Sequence, residues 1–379
     1  MSKSLEKKIL CIVGARPNFM KIAPVIRALN NSQYPFKVGL LHTGQHYDAA
    51  MKQSFFDQLH IPEPDVDLGV GSGSHAVQTA EIMKRFEPVM DDLEPNAILV
   101  VGDVNSTIAC ALVAVKKGVP VVHVEAGLRS GDRSMPEEIN RVLTDQISDL
   151  LLTTERSAEQ NLMREGVSSE KIHFVGNVMI DTLRYNLNSA VPSGDTIAGC
   201  LSAERAENIG TDYALLTLHR PANVDDPVVL ARLLRTLVEL SGKLPMLFPV
   251  HPRTQQCIDG AGLNQLIADS QLYLMPPQAY LNMLGLMKGA RLVLTDSGGI
   301  QEETTALGVP CITLRENTER PITVEEGSNT IVGSNPEKIK SCFNDIMHSG
   351  GKAGRTPEYW DGKAAERIAD VVGGWLYKK

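Results

Sequence analysis

Apolar and polar positions along this chain follow two alternating rhythms. Short β-branched runs at Ile9–Val13, Lys37–Leu41, Ala97–Val101, Val121–Val124, Leu150–Thr153 and Ile172–Val175 are separated by longer stretches with helical spacing. A second series follows at Tyr213–Leu218, Met246–Val250, Gln271–Leu274, Arg291–Leu294 and Cys311–Leu314. Strand, helix, strand in repetition predicts parallel sheets. Between the two series, residues Asn188–Asp212 are polar and helix-prone with no strand character, so two Rossmann-like α/β domains are expected. Their limits are placed at residues 1–176 and 177–361. The last segment, residues 362–379, carries Ala, Ile, Val and Trp on one helical face and is expected to pack back onto the first domain.

An internal echo supports two similar halves. AILVVGDVNSTIACALVAVKKGVPVVHVEAG, from Ala97, and RLVLTDSGGIQEETTALGVPCITLREN, from Arg291, both read strand, polar turn, helix, Gly-Val-Pro, strand. Glycine ends a helix in the left-handed conformation, and proline cannot continue one. A length of 379 residues agrees, because a single core rarely grows that large.

Charge narrows the partners. A net charge of -8 argues against a nucleic-acid surface, so any anion site must be local. The six cysteines, Cys11, Cys110, Cys200, Cys257, Cys311 and Cys342, are scattered without a CxxC pair, and no HExxH occurs. They read as thiols in a reducing compartment, with no metal or other cofactor implied. The first apolar run, Ile9–Val13, is only five residues long, so neither a secretory leader nor a membrane span is expected and a cytoplasmic location follows.

The polar residues cluster where strands end, the edge at which open α/β sheets bind ligands. Gly14-Ala-Arg-Pro-Asn-Phe-Met-Lys21 joins the first strand to a helix and offers backbone N–H groups, Arg16 and Lys21 to an anion; a plain tight turn is the alternative. Asp103 follows the strand ending at Val101, where it could also cap the next helix, and Glu125 closes the following strand. Met135-Pro-Glu-Glu-Ile-Asn-Arg141 opens a helix in which Glu137 and Glu138 either complement the dipole or serve the site. Arg141, four residues on, is expected to pair with Glu137. In the second half, His219-Arg220 and His251-Pro-Arg253 end successive strands, which suggests a cleft lining. Asp296-Ser297-Gly298-Gly299 exposes N–H groups at a helix start suited to a diphosphate, and Glu303, one turn later, suits a ribose hydroxyl.

GARPNFMK, VGDVNST, HVEAGLRSGDRSMPEEINR, HR before a polar loop, VHPRT, TDSGGIQEE and RENTERP occur in an order that resembles the non-hydrolysing UDP-N-acetylglucosamine 2-epimerase family, over residues 8 to 335. The resemblance implies the two-domain GT-B architecture with the active site in the interdomain cleft. It also implies reversible C2 epimerisation of UDP-N-acetylglucosamine to UDP-N-acetylmannosamine through a 2-acetamidoglucal, supplying cell-surface polysaccharide precursors. Asp103, Glu125 and Glu137 match the family's catalytic acids and His219 its catalytic histidine. Arg16 and Lys21 correspond to nucleotide-sugar contacts in the first domain, and Arg141 and His251 are included as substrate-binding candidates. Gln278, Ser297, Gly298, Gly299, Glu303 and Arg320 correspond to nucleotide contacts in the second, while Met283 stands where relatives often carry an aromatic near the base. A homodimer is implied as well.

Other readings keep part of this picture: a 2-epimerase of a UDP-diacetamido-uronic acid, a hydrolysing 2-epimerase, or a GT-B glycosyltransferase. Where many bacterial relatives carry a paired-glutamine motif for an activating second substrate molecule, this chain reads Gln45-His-Tyr-Asp48, so activation by substrate is not expected.

Overall fold

The protein is described from a computed structural model covering residues 6–44, 59 and 61–378. Its described strands form two parallel sheets. The first comprises β1 (Lys7–Val13), β2 (Phe36–His42), β3 (Val66–Asp67), β4 (Ala97–Val101), β5 (Val121–Ala126), β6 (Leu150–Thr153) and β7 (Ile172–Phe174), in the order β3-β2-β1-β4-β5-β6-β7. The second comprises β8 (Ala214–Thr217), β9 (Met246–Pro249), β10 (Leu272–Met275), β11 (Leu292–Thr295), β12 (Cys311–Thr313) and β13 (Asn329–Ile331), in the order β10-β9-β8-β11-β12-β13. Each order reverses direction once, between β1 and β4 and between β8 and β11. Doubly wound sheets bind ligands at these switch points. The central strands are apolar on both sides because helices cover both faces. Leu10, Ile12, Ile82, Phe86, Ile98 and Val100 build the first core, and Leu216, Leu234, Phe248, Leu294, Ile312 and Phe343 the second.

The two sequence echoes occupy the same place in their sheets, β4-helix-β5 and β11-helix-β12. Both Gly-Val-Pro turns use a left-handed glycine, Gly118 and Gly308, each at φ 71°. The carbonyl of Pro120 then accepts from Ile98 N–H at 3.0 Å, and that of Pro310 from Val293 N–H at 2.9 Å. The same tripeptide thus sets the same strand register twice.

The chain divides into two compact units, one running to Tyr185 and resuming at Glu358, the other spanning Asn186–Pro357. This division falls later than residue 176 because the helix Val178–Asn186 is tied to the returning C-terminal segment. Asp181 accepts the N–H groups of Ala364 and Ala365 at 3.1 and 2.7 Å, capping the helix Ala364–Tyr377, and Arg184 bonds the Trp360 carbonyl at 3.0 Å. Burial nevertheless pushes the Asp181 carboxyl up to about 6, against those two bonds. Tyr359 stacks on Phe174 with ring centroids 4.8 Å apart, and Arg156 and Arg367 cover the outer faces of the pair. Among the described residues no helix is long and apolar enough to cross a membrane.

Candidate active site

In the first unit, the β1 turn is held by Asn18. Its Oδ1 accepts the N–H groups of Gly14 and Ala15 at 3.2 and 3.0 Å, and its Nδ2 donates to the Val101 carbonyl at 3.0 Å, joining the ends of β1 and β4. Gly14 is required there: a Cβ would stand 2.0 Å from Ser106 Oγ. Arg16 opens the following helix, Arg16–Asn30, and its side chain lies outside the described set. Lys21, from the same helix, is buried and bonds Glu125 Oε1 at 2.6 Å. The ammonium passes Gly102, where a Cβ would stand 3.0 Å away.

Glu125 is a left-handed residue, φ 72°, at a register shift in β5 between Val124 and Ala126. A non-glycine residue there costs about 1–3 kcal/mol, and such irregularities re-aim a side chain at the end of a strand. The bulge is anchored from below. His123, fully buried, donates from Nε2 to the Gly102 carbonyl at 2.8 Å and bonds Asp145 Oδ1 through Nδ1 at 2.7 Å. Asp145 Oδ2 accepts Gly127 N–H at 3.0 Å and pairs with Arg129 at 2.8 Å. Arg129 continues to Glu165 at 2.6 Å. One network therefore holds Gly102, the residue before Asp103, and His123 and Gly127, two positions to either side of Glu125.

Asp103 does not cap the helix Asn105–Lys116; Val104 is its N-cap residue. The Asp103 carboxylate instead pairs with Arg141. The expected Arg141–Glu137 pair is corrected here, since Arg141 bonds Glu138 at 2.8 Å as well as Asp103. Glu138, three residues before Arg141, is buried and also accepts Ser130 and Gly131 N–H at 3.0 and 2.9 Å. Glu137 is half-buried and has no hydrogen-bond or ion-pair partner among the described residues. The two adjacent acids thus divide the roles weighed for both: Glu138 builds the loop, and Glu137 is left for a ligand.

In the second unit, His219 follows β8 and its Nδ1 lies 3.0 Å from Asp296 Oδ1, just past the neighbouring β11. Ser297 is the N-cap residue of the helix Gly298–Leu307, yet its hydroxyl makes no capping bond. A Cβ on Gly298 would stand 2.7 Å from Glu319 Oε1. Burial alone would raise the Glu319 carboxyl, but Arg320, Arg315 and Arg220 hold it well below the usual range. Arg320 also pairs with Glu302 at 2.8 Å. Glu303, one turn into the helix, is buried, and its Oε1 has no hydrogen-bond partner among the described residues. Burial pushes its carboxyl up to about 8, with the nearby Tyr280 hydroxyl opposing and Glu302 reinforcing the shift.

A cavity of 360 Å³ lies at the carboxyl ends of β9 and β10, lined by Val250, Gln255, Leu274 and Pro276 among others. Gln278 stands beside it, bonded to the Pro276 carbonyl at 2.7 Å, and Met283 is half-buried on the next helix, Tyr280–Gly289. His251 has a structural task, since its Nδ1 accepts Arg253 N–H at 3.2 Å and caps the helix Pro252–Gly260. Among the described residues no cluster of three metal-ligating side chains occurs.

Sequence reasoning missed Asn18, His123, Asp145, Asn223 and Asp296 as site-building residues. Asp296 carried a signal: a carboxylate and a histidine each stand within two residues of the end of an apolar strand run.

A family model described as UDP-N-acetylglucosamine 2-epimerase matches residues 27–373. The UDP-N-acetylglucosamine 2-epimerase of Methanococcus maripaludis is 42% identical over 97% of this chain and 98% of its own length. A UDP-2,3-diacetamido-2,3-dideoxy-D-glucuronate 2-epimerase of Pseudomonas aeruginosa is 39% identical over 96% of this chain and 99% of its own. The crystal structure of the Methanocaldococcus jannaschii UDP-GlcNAc 2-epimerase in complex with UDP-GlcNAc and UDP superposes with a TM-score of 0.85 at 41% identity, covering 96% of this chain and 99% of that one. Acids on one sheet edge, a histidine and a glycine-started helix on another, and full-length similarity at this level agree: the chain belongs to the UDP-N-acetylglucosamine 2-epimerase family.

Proposed function

We propose that the protein epimerises UDP-N-acetylglucosamine at C2, giving UDP-N-acetylmannosamine by elimination and re-addition of UDP. The observation that carries this reading is the polar edge of the first sheet, where the Lys21–Glu125 pair, the Asp103–Arg141 pair and Glu137 follow successive elements. The chemistry needs several acids. C2 has no adjacent carbonyl, so a carboxylate removes its proton only as the C1–O bond breaks and C1 gains oxocarbenium character. The C1–O electrons leave with UDP, the C2–H electrons form the C1=C2 bond of the glycal, and the base keeps the proton. Inversion requires a second acid to return a proton to the opposite face while UDP re-adds at C1. Glu125 and Glu137, with Asp103 beside them, are assigned to C2, and His219 assists departure of the diphosphate. Arg16, Lys21, Arg141 and the Ser297-Gly298-Gly299 turn are assigned to the substrate's charge. His251, Gln278, Met283 and Arg320 complete the nucleotide side.

Glu303 is assigned to the ribose. Hydroxyls donating to it favour the carboxylate, so its bound pKa falls below about 8. Near pH 7 the free side chain is largely protonated, so UDP binding is expected to release a measurable fraction of a proton. Calorimetry in buffers of different ionisation enthalpy measures that number, and a Glu303→Gln variant is expected to abolish it.

A uronic-acid substrate is the second reading, favoured by the 39% identity to the Pseudomonas aeruginosa protein. Proton NMR of the protein with UDP-N-acetylglucosamine in D2O separates the readings. Deuterium at C2 with UDP-N-acetylmannosamine appearing is expected; free sugar as the main product points to hydrolysis, and no turnover points to the diacetamido-uronic acid. A homodimer in the cytoplasm belongs to the same proposal. The six free cysteines suit a reducing compartment, and Ile139 and Leu143, exposed one turn apart on the helix Pro136–Ile147, suit an apolar contact between copies.

A further inference from the structure

His219 and Asp296 are brought together by strand register. Thr217 of β8 pairs with Thr295 of β11, their hydroxyls 2.6 Å apart, so Asp296, the next residue after β11, and His219, two residues after β8, leave their strands at the same carboxyl edge. Asp296 is fully buried. Its carboxylate accepts the N–H of His219 at 3.1 Å, of Arg220 at 2.9 Å and the Asn223 amide at 3.1 Å, and it faces His219 Nδ1 at 3.0 Å. Asn223 also donates to the Leu314 carbonyl at 2.9 Å, fixing the turn to the end of β12. The imidazole itself is 43% exposed, and Nε2 makes no hydrogen bond among the described residues. A buried acceptor on one ring nitrogen and an open position on the other decide which nitrogen meets a ligand.

We propose that Asp296 is a positioning residue for His219: it holds the proton on Nδ1, orients the ring, and offsets the charge of the imidazolium that presents Nε2–H to the departing diphosphate oxygen. The inference rests on the diphosphate role given to His219 above. Asp296 also directly precedes Ser297, so the residue that orients the histidine adjoins the turn that starts the diphosphate-binding helix. Burial alone would raise the Asp296 carboxyl, yet His219, Arg220 N–H and Asn223 hold it below its ordinary value, so it remains an acceptor. The other charges near this edge are Arg220, which reaches Glu319 at 3.6 Å, and Arg315, which pairs with Glu319 at 2.8 Å.

The first test needs no variant. In 15N-edited NMR of the wild-type protein, neutral His219 is expected as the Nδ1–H tautomer, and an Nε2–H tautomer with bare Nδ1 overturns the proposal. Asp296→Asn then keeps an oxygen for the backbone N–H groups but turns an amide toward Nδ1. It is expected to invert the tautomer and lower kcat about 10²–10⁴-fold, with UDP affinity nearly unchanged. The double variant His219→Gln, Asp296→Asn is expected to be no slower than His219→Gln alone, because Asp296 acts through the ring. An unchanged tautomer with wild-type turnover in Asp296→Asn, or an extra loss in the double variant, overturns the inference. Full turnover in His219→Gln instead overturns the role of His219 itself, which separates the two failures.

Discussion

Glu125→Gln is expected to lower kcat about 10³-fold per folded molecule, because a positioned acid or base contributes about 10²–10⁴ and an amide cannot take a proton. The substitution is nearly isosteric. Glutamine Oε1 can still accept from Lys21, and the backbone network around the left-handed residue does not involve the Glu125 side chain. Loss of the anion leaves the buried Lys21 ammonium unpaired and costs stability, so turnover is compared per folded molecule. Two readouts check it: the rate of C2 deuteration in D2O and the rate of epimer formation. If Glu125 is the base on one face, both fall together for UDP-N-acetylglucosamine. Wild-type exchange with slow epimer formation would move Glu125 to the opposite face, and unchanged rates for both would remove it from proton transfer. Asp103→Asn makes a useful contrast, since it weakens the anchor of Arg141 as well as removing an acid.

Much of this architecture was legible because parallel strands leave a strong mark. Buried strands such as Ala97–Val101 read as continuous apolar runs, and the repeated Gly-Val-Pro fixed two helix ends. β3 and β13 were not legible, having two and three residues in strand and no apolar run to show. Residues at strand ends were visible as chemistry, but partnership was not. Asp103 looked equally like a cap and a site acid, and only the position of Arg141 decides between them. Arg141 reaches Glu138 at ordinary i,i+3 spacing, but its reach to Asp103, 38 residues away, is a tertiary contact that helix spacing alone cannot say. His123 illustrates the hardest case. Within HVEAG it sits in an apolar strand like any core residue, and its two partners come from Gly102 and Asp145, distant in sequence.

That buried network sets the second large expectation: Asp145→Ala destabilises the first unit by about 3–5 kcal/mol, the usual cost of removing one partner from a buried ion pair. His123 donates to a carbonyl from Nε2 and bonds a carboxylate oxygen through Nδ1. Arg129 and Glu165 extend the network as an alternation of cation and anion. Removing Asp145 leaves the imidazole and the Arg129 guanidinium facing each other without the anion between them, and strips Gly127 N–H of its acceptor. Hydrogen exchange is the suitable readout: amides of β4, β5 and β6 are expected to lose protection by a factor of about 10²–10⁴, the equivalent of those energies, whereas β8, β9 and β11 keep theirs. Asp145→Asn retains an acceptor for Gly127 and is expected to cost less. Turnover should fall in Asp145→Ala well below the fraction folded, because the left-handed turn at Glu125 is strained and persists only while both flanking residues are held. Equal protection in the variant and the wild type would show that the bulge is held by β5 itself, and the network would then lose its place in forming the site.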